Sequence, residues 1–214
     1  GPATHPFLRD RCLGETPAAV VANARGCARG LLSGGVLPVV KHLPGHGRAT
    51  ADSHHHLPRV DTPIGDLRTT DFAAFRGLAD LPLGMTAHVV YDALDPDRAA
   101  TLSRAAIAAI RDDIGFGGLL MTDDLSMKAL SGCLHDLTRD SLAAGCDIAL
   151  HCNGLRDEMA EVTASAGPLA GAALARAEAA LTWRQTPDAA DPAGLAAELE
   201  ALMAATHTDG GGNG

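Results

Sequence analysis

Aromatic side chains are scarce in this sequence, where Phe, Trp and Tyr together make up 3% of 214 residues. The core must therefore be built mainly from Ala, Leu, Val and Ile. The sequence has no run of about 18 apolar residues, so no transmembrane helix is expected. It also lacks a basic stretch followed by an apolar one, so no signal peptide is expected in the sequence given.

Cysteine and basic residues are also few. The five cysteines are odd in number and lack CxxC spacing, which favours reduced thiols in a cytoplasmic protein over a disulfide framework. Seventeen Lys and Arg against 26 Asp and Glu give a formal net charge of −9. This balance argues against a nucleic-acid partner, because phosphate contacts need clustered Lys and Arg.

Short apolar runs alternate with longer helical stretches along the chain. Four runs are typical of buried strands, at residues 36–41, 85–91, 118–122 and 147–152. Helices are predicted at residues 17–32, 64–79, 103–114, 134–144, 156–166, 169–183 and 192–205, with Thr16 and Ser103 as N-caps of the first and third. This alternation predicts parallel strands joined by right-handed crossovers.

Polar residues follow three of the four predicted strands, as they do at the active-site face of a (β/α)8 barrel. The predicted fold class is therefore α/β, of the TIM-barrel type, with only about four β/α units present. We expect residues 1–205 to form a partial catalytic domain and the Gly-rich residues 206–214 to form a disordered tail. Open parallel edges predict self-association, because parallel sheets tolerate exposed edges poorly.

Two segments concentrate groups suited to chemistry. Residues 41–58, KHLPGHGRATADSHHHLP, place five His, one Lys and one Asp directly after a strand, with glycines that allow a sharp turn. Residues 117–127, GGLLMTDDLSM, run from an apolar strand into two carboxylates. One of these could be a nucleophile, and one could cap the next helix. We expect Asp123 to be reactive and Asp124 to be structural.

These segments resemble the signature of bacterial β-N-acetylglucosaminidases of glycoside hydrolase family 3, in the branch that recycles peptidoglycan. KHxPGHG at residues 41–47 and DSH at residues 52–54 carry the resemblance, and MTDDLSM at residues 121–127 resembles the family's nucleophile strand. TAHVVY at residues 86–91 is similar to a further strand, and RDRCLG at residues 9–14 to an upstream sugar-binding arginine segment.

The resemblance implies a role for each matched residue. Asp123 matches the nucleophile that attacks the anomeric carbon, and His54 matches the general acid/base, which Asp52 orients. The residues that match sugar-binding positions are Arg11, Lys41 and His42. No metal and no cofactor is implied, because the chemistry is only acid/base and nucleophilic.

A histidine suits the acid/base role for physical reasons. A retaining glycosidase needs one group that protonates the leaving oxygen and then deprotonates water, and imidazole titrates near neutral pH. Asp52 and His54 are two residues apart, so their side chains share one side of an extended segment. A hydrogen bond between them would fix the imidazole tautomer. We expect His54 to lie on a mobile loop.

The resemblance implies a cytoplasmic, retaining enzyme that releases terminal N-acetylglucosamine from muropeptides through a covalent glycosyl-enzyme intermediate. Its substrates would be N-acetylglucosaminyl-anhydromuramyl compounds, with no membrane partner. The four predicted strands correspond to the last four units of the family's barrel. The family's N-terminal half carries an acidic, Gly-containing sugar-binding segment that has no counterpart here. We therefore expect weak or no turnover from this chain by itself.

Two alternatives remain open at this point. The chain could be a non-catalytic, sugar-binding half-barrel, although intact Asp52, His54 and Asp123 argue against degeneration. It could also be a His-rich metal-binding protein, since His and Asp are good zinc ligands, although HExxH spacing is absent.

Overall fold

The computed structural model describes residues 11–49 and 56–208, with side chains in the last helix described as far as residue 204. In chain order the strands are β1 (Val39–Leu43), β2 (Arg59–Val60), β3 (Leu83–Thr86), β4 (Val90–Tyr91), β5 (Asp95–Ala99), β6 (Leu119–Asp124) and β7 (Ile148–Leu150). They form a four-stranded sheet in the order β1-β3-β6-β7 and a three-stranded sheet in the order β2-β4-β5.

All pairs of neighbouring strands in the four-stranded sheet are parallel, which confirms the predicted arrangement. The first strand starts three residues later than predicted, at Val39. Pro38 precedes it and has no N–H for a ladder hydrogen bond. Leu83 is in register with Leu119, and Met85 with Met121, so side chains of equal parity share a face of the sheet.

The run predicted as one strand over residues 85–91 belongs to two sheets. β3 ends at Thr86, and the Ala87 N–H still donates to the carbonyl of Leu43 at 2.8 Å. Val90 N–H donates instead to the carbonyl of Pro58 at 2.9 Å, which places β4 in the small sheet. The prediction of a single strand was wrong because residues 87–89 carry the chain from one sheet to the other.

The helices are α1 (Pro17–Ser33), α2 (Ile64–Thr69), α3 (Asp71–Arg76), α4 (Arg104–Ala108), α5 (Leu134–Ala144), α6 (Arg156–Ala166), α7 (Gly171–Leu181) and α8 (Pro192–Thr208). A 3₁₀ turn (Ala100–Leu102) precedes α4, and a π-helical turn (Ala109–Asp113) follows it. The predicted N-caps are confirmed: Thr16 Oγ1 accepts from Ala19 N at 3.2 Å, and Ser103 Oγ accepts from Ala106 N at 3.2 Å.

The predicted helix over residues 64–79 is divided at Thr70. The Thr70 backbone leaves the helical region, with φ −115° and ψ −80°, and its hydroxyl hydrogen-bonds the carbonyl of Asp66 at 2.6 Å. A side chain that competes for backbone groups in this way disfavours a continuous helix.

At the other end of the chain, α8 runs to Thr208, three residues into the segment predicted as a tail. Residues 209–214 lie outside the described residues.

The two faces of the large sheet differ in burial. One face packs under the helices, and its side chains are at most 7% exposed: Val40, Thr86, Leu120 and Thr122. On the opposite face Val39 is 37% exposed, and Leu83, Met85, Met121 and Ile148 are partly exposed. Parallel sheets normally have both faces covered. In the part of the chain that the structure describes, this second face is therefore less completely covered, although Leu119 on it is buried, and no strand pairs with the outer edges of β1 and β7.

An ion-pair cluster joins the elements at the amino end of β7. Asp147 is 4% exposed at its side chain, and it accepts from Arg111 Nη2 at 2.8 Å and from Arg176 Nη1 at 2.7 Å. Its Oδ2 also accepts from Leu120 N at 2.9 Å. One carboxylate thus connects the π-helical turn, α7 and β6.

No described helix has the length and apolar character needed to span a membrane.

Candidate active site

Asp123 lies at the carboxyl end of β6, where the sequence predicted a nucleophile. Its Oδ1 accepts from Asp124 N at 2.9 Å, and its Oδ2 is 3.6 Å from His42 Nε2. The two side chains are 16% and 12% exposed. The structure thus brings the predicted nucleophile and a predicted sugar-binding residue together at one end of the sheet.

The loop after β1 is held close to this pair. Gly45 has φ +149°, and a Cβ at this position would lie 3.1 Å from Asp71 Cβ, so glycine is required here. The Gly45 carbonyl accepts a hydrogen bond from the buried Tyr91 hydroxyl. His46 is 7% exposed, and its ring centre is 5.4 Å from that of His42 in an edge-on arrangement. The His46 ring therefore lies next to His42.

His42 is uncharged at neutral pH. Burial lowers its pKa from 6.5 to about 4, and the negative charge of Asp123 only partly opposes this effect. Electrostatic repulsion from His46, Lys41 and Arg11 lowers the pKa of His42 further. Arg11 and Lys41 are exposed, and the electrostatic effect of both reaches His42. Sugar binding by Arg11, Lys41 and His42 stays a prediction.

The free energy of unfolding is expected to fall as pH is lowered from 6.5 towards 4, in part because of His42. In this window the unfolded chain binds a proton at His42 and the folded chain does not, so acid favours unfolding. The stabilisation is complete above the ordinary pKa and is lost on acidification, by about 1.4 kcal/mol per unit of pKa difference. Urea unfolding of wild type and His42→Gln across this range should show a shallower decline in the variant. Equal slopes would contradict the prediction.

The predicted acid/base pair Asp52 and His54 lies outside the described residues. The structure describes the chain up to Ala49 and again from His56, which precedes β2. The positions of Asp52 and His54 relative to Asp123 therefore stay a prediction.

The sequence analysis missed a buried hydrogen-bonded group behind Asp123. His88 is fully buried, with Nδ1 2.8 Å from Thr101 Oγ1 and Nε2 3.0 Å from the carbonyl oxygen of Asp124. Thr86 Oγ1 lies 2.8 Å from Thr101 Oγ1. The only signal in the sequence was a histidine in the middle of an apolar run.

Asp124 makes structural contacts, in agreement with the role expected for it. Its Oδ1 accepts from Ser126 N at 3.0 Å and from Cys152 N at 3.1 Å, and its Oδ2 accepts from Ser126 Oγ at 2.7 Å. His151 was also missed: its Nε2 is 3.2 Å from Glu158 Oε2, and its side chain is 4% exposed. These contacts join the loops that follow β6 and β7.

The described residues contain no group of three or more His, Cys, Asp or Glu side chains placed to hold a metal ion. Residues 50–55, which include two of the histidines in the His-rich segment, are not among them.

Comparison with known proteins identifies the family. The glycosyl hydrolase family 3 N-terminal domain matches residues 3–180. A β-hexosaminidase of Alkalilimnicola ehrlichii is 42% identical over 151 residues, which are 68% of this chain and 43% of that protein. A β-hexosaminidase of Neisseria meningitidis serogroup B is 37% identical over 162 residues, which are 73% of this chain and 45% of that protein.

Solved structures give the same answer. A family 3 β-N-acetylglucosaminidase from Paenibacillus sp. FPU-7 superposes with a TM-score of 0.77 at 26% identity, covering 90% of this chain and 40% of that one. NagZ from Neisseria gonorrhoeae, in complex with N-trifluoroacetyl-D-glucosamine, has a TM-score of 0.73 at 32% identity, covering 83% and 52%. The chain spans about half the length of the relatives it matches. It belongs to glycosyl hydrolase family 3 and matches the family's N-terminal domain.

Proposed function

We propose that this chain carries catalytic machinery of a retaining β-N-acetylglucosaminidase in which Asp123 is the nucleophile. The observation that carries the proposal is the position of Asp123 at the carboxyl end of β6, with one oxygen 3.6 Å from His42 Nε2. Both residues stand in motifs that resemble those of the family, and two relatives of the chain, 42% and 37% identical to it, are named β-hexosaminidases.

The reaction has two steps. In the first, an oxygen of Asp123 forms a bond to the anomeric carbon while the bond to the leaving oxygen breaks, and a general acid donates a proton to that oxygen. In the second, water attacks the anomeric carbon, the same group now removes its proton, and the bond to Asp123 breaks. His54, oriented by Asp52, is the group proposed to transfer the proton, and the sequence motif supports this assignment.

Arg11, Lys41 and His42 are proposed to bind the sugar. A neutral His42 can both donate to and accept from a hydroxyl group, which suits an uncharged pyranose better than a charged imidazolium would. An N-acyl glucosamine is the proposed ligand, since the Neisseria gonorrhoeae relative was solved with N-trifluoroacetyl-D-glucosamine.

The four parallel strands are proposed to be the last four of a (β/α)8 barrel, with the site at their carboxyl ends. Two features support this: the site residues His42 and Asp123 lie at the carboxyl ends of β1 and β6, and the chain spans about half of each relative. The resemblance of the motifs to the peptidoglycan-recycling branch supports N-acetylglucosaminyl-anhydromuramyl compounds as substrates and the cytoplasm as the location.

The proposal is tested by turnover of a chromogenic N-acetylglucosaminide together with a fluorinated N-acetylglucosaminyl fluoride. The fluorinated sugar slows hydrolysis of the covalent intermediate, so peptide mass spectrometry should find one sugar on the peptide that contains Asp123. Chelator treatment separates this function from a metal-dependent one, because acid/base and nucleophilic chemistry persists without metal. Failure to label any carboxylate would refute the proposal.

A non-catalytic, sugar-binding partial barrel is the second candidate, and it is favoured by the partly exposed face of the sheet and by the unpaired outer edges of β1 and β7. Missing positioning contacts reduce turnover even where the reacting groups remain. Calorimetric titration with N-acetylglucosamine separates the candidates. Binding without turnover or labelling would support the second one.

Self-association through the open sheet is also proposed, because Ile148 and its neighbours leave apolar surface uncovered. Light scattering on the chain is expected to give a mass above 21.8 kDa. Ile148→Lys should lower that mass towards the monomer value. Leu199→Lys on the exposed helix α8 is the matched control and should leave the mass unchanged. If Leu199→Lys lowers the mass and Ile148→Lys does not, the contact lies on α8 and the proposal is contradicted.

A further inference from the structure

We propose that His88 is a positioning residue for Asp123: a neutral imidazole with its proton on Nε2 holds the Asp124 carbonyl and thereby fixes the end of β6. The inference rests on the proposed role of Asp123 as nucleophile. It adds a residue that touches neither sugar nor leaving group and acts through its neighbour.

The position of His88 in the fold makes this contact. The segment between β3 and β4 crosses from the large sheet to the small one, and His88 lies in the middle of it. Its side chain is fully buried, and its Nε2 is 3.0 Å from the Asp124 carbonyl oxygen, 36 residues away in sequence. The buried His88 ring, which lies between β3 and β4, therefore contacts Asp124 at the end of β6, next to the proposed nucleophile.

The partners of the ring determine its tautomer. A carbonyl oxygen can only accept a hydrogen bond, so Nε2 must carry a proton. Burial lowers the pKa of His88, and the acceptor at Asp124 and the carboxylates of Asp123 and Asp124 oppose that effect without reversing it. The ring is therefore neutral at pH 7, and Nδ1 is a bare acceptor.

The threonines complete the hydrogen bonding on the opposite side of the ring. With Nδ1 unprotonated, the Thr101 hydroxyl donates to it at 2.8 Å, and the Thr86 hydroxyl donates to Thr101 Oγ1 at 2.8 Å. Thr101 Oγ1 can also donate to the Ala87 carbonyl, 3.1 Å away, so the proposed tautomer requires its single proton to point to Nδ1 instead. Both threonine side chains are fully buried, so the orientation of the ring is fixed.

Asp124 transmits this constraint to the nucleophile. Its N–H donates to Asp123 Oδ1 at 2.9 Å, and its carbonyl accepts from His88. Rotation of the Asp124 backbone would move the N–H and turn the Asp123 carboxylate away from His42. A displacement of about 1 Å of a reacting group lowers the rate by about 10²-fold.

Two variants of His88 separate positioning from general packing. In His88→Gln the side-chain amide nitrogen reaches about as far as Nε2 and can still donate to the Asp124 carbonyl. In His88→Asn the amide reaches only the position of Nδ1, so contact with Asp124 is lost. We expect kcat to fall by about 10–10²-fold in the Asn variant with KM within about twofold, and the Gln variant to recover most of kcat.

Nuclear magnetic resonance of ¹⁵N-histidine-labelled wild type tests the tautomer without any need for turnover. We expect His88 to carry its proton on Nε2 alone at pH 7. The ring resonances of His42, which report the nearby Asp123 charge, should change in His88→Asn and stay close to wild type in His88→Gln.

A proton on Nδ1, or a doubly protonated ring at neutral pH, would overturn the inference. Equal kcat values and equal His42 resonances in the two variants would also overturn it. Absence of turnover and labelling in wild type would refute the proposed glycosidase function, while the His88 tautomer and the His42 resonances would still decide this inference.

Discussion

Asp123→Asn is expected to abolish covalent labelling by the fluorinated sugar, and to lower whatever turnover of a chromogenic N-acetylglucosaminide the wild-type chain shows by at least about 10³-fold. The amide has nearly the same shape as the carboxylate, and its oxygen can still accept from Asp124 N. It cannot form the glycosyl ester, because a neutral amide oxygen is a poor nucleophile. The substitution therefore removes the proposed nucleophile but preserves the shape and packing of the side chain.

The matched control is Asp140→Asn, the same chemical change on the exposed surface of α5. It should leave kcat, KM and the urea unfolding midpoint at wild-type values. The fluorinated sugar should label Asp140→Asn and fail to label Asp123→Asn. Wild-type turnover in Asp123→Asn, or a label on another carboxylate, would remove Asp123 from the mechanism.

Asp147→Ala is expected to lower the free energy of unfolding by about 3–5 kcal/mol, because it leaves buried positive charge without a partner. Arg111 is 17% exposed at its side chain, and its Nη2 would lose a carboxylate 2.8 Å away. The Leu120 N–H, which donates to Asp147 at 2.9 Å, would lose its side-chain acceptor as well. Equilibrium unfolding in urea measures the change.

Two further variants define the origin of this effect. Arg176→Ala removes the more exposed partner, 34% exposed at its side chain, and keeps the Arg111 pair, so its cost should be clearly smaller. Asp140→Ala changes an exposed aspartate, and it should alter stability by less than about 0.5 kcal/mol. If Asp147→Ala costs no more than Asp140→Ala, the cluster does not hold the sheet and helices together.

The elements that could be predicted from sequence are those with local signals. Thr16 and Pro17 mark the start of α1, Gly145 ends α5 in a left-handed conformation with φ +118°, and apolar runs give the four parallel strands. The elements that were missed depend on distant partners. β2 and β5 are short and polar, and they become strands only because β4 lies between them.

The candidate site was predicted in the same uneven way. Asp123 was expected to be reactive because two carboxylates come at the end of a predicted parallel strand, whereas the roles of Lys41 and His42 came from the resemblance of their motif to the family's. His88 and Thr101 could not be assigned, since a histidine inside an apolar run has no visible partner until the fold brings Asp124 to it. The local sequence pattern thus indicated Asp123, and only the tertiary structure showed the contact between His88 and the neighbouring Asp124.

The hydrogen bond from the Tyr91 hydroxyl to the Gly45 carbonyl links the two sheets of this protein. Tyr91 is the last residue of β4 in the small sheet, and Gly45 lies in the loop that follows β1 of the large sheet. A change in the β4–β5 hairpin that moves Tyr91 would therefore displace this loop without altering Asp123 or His42.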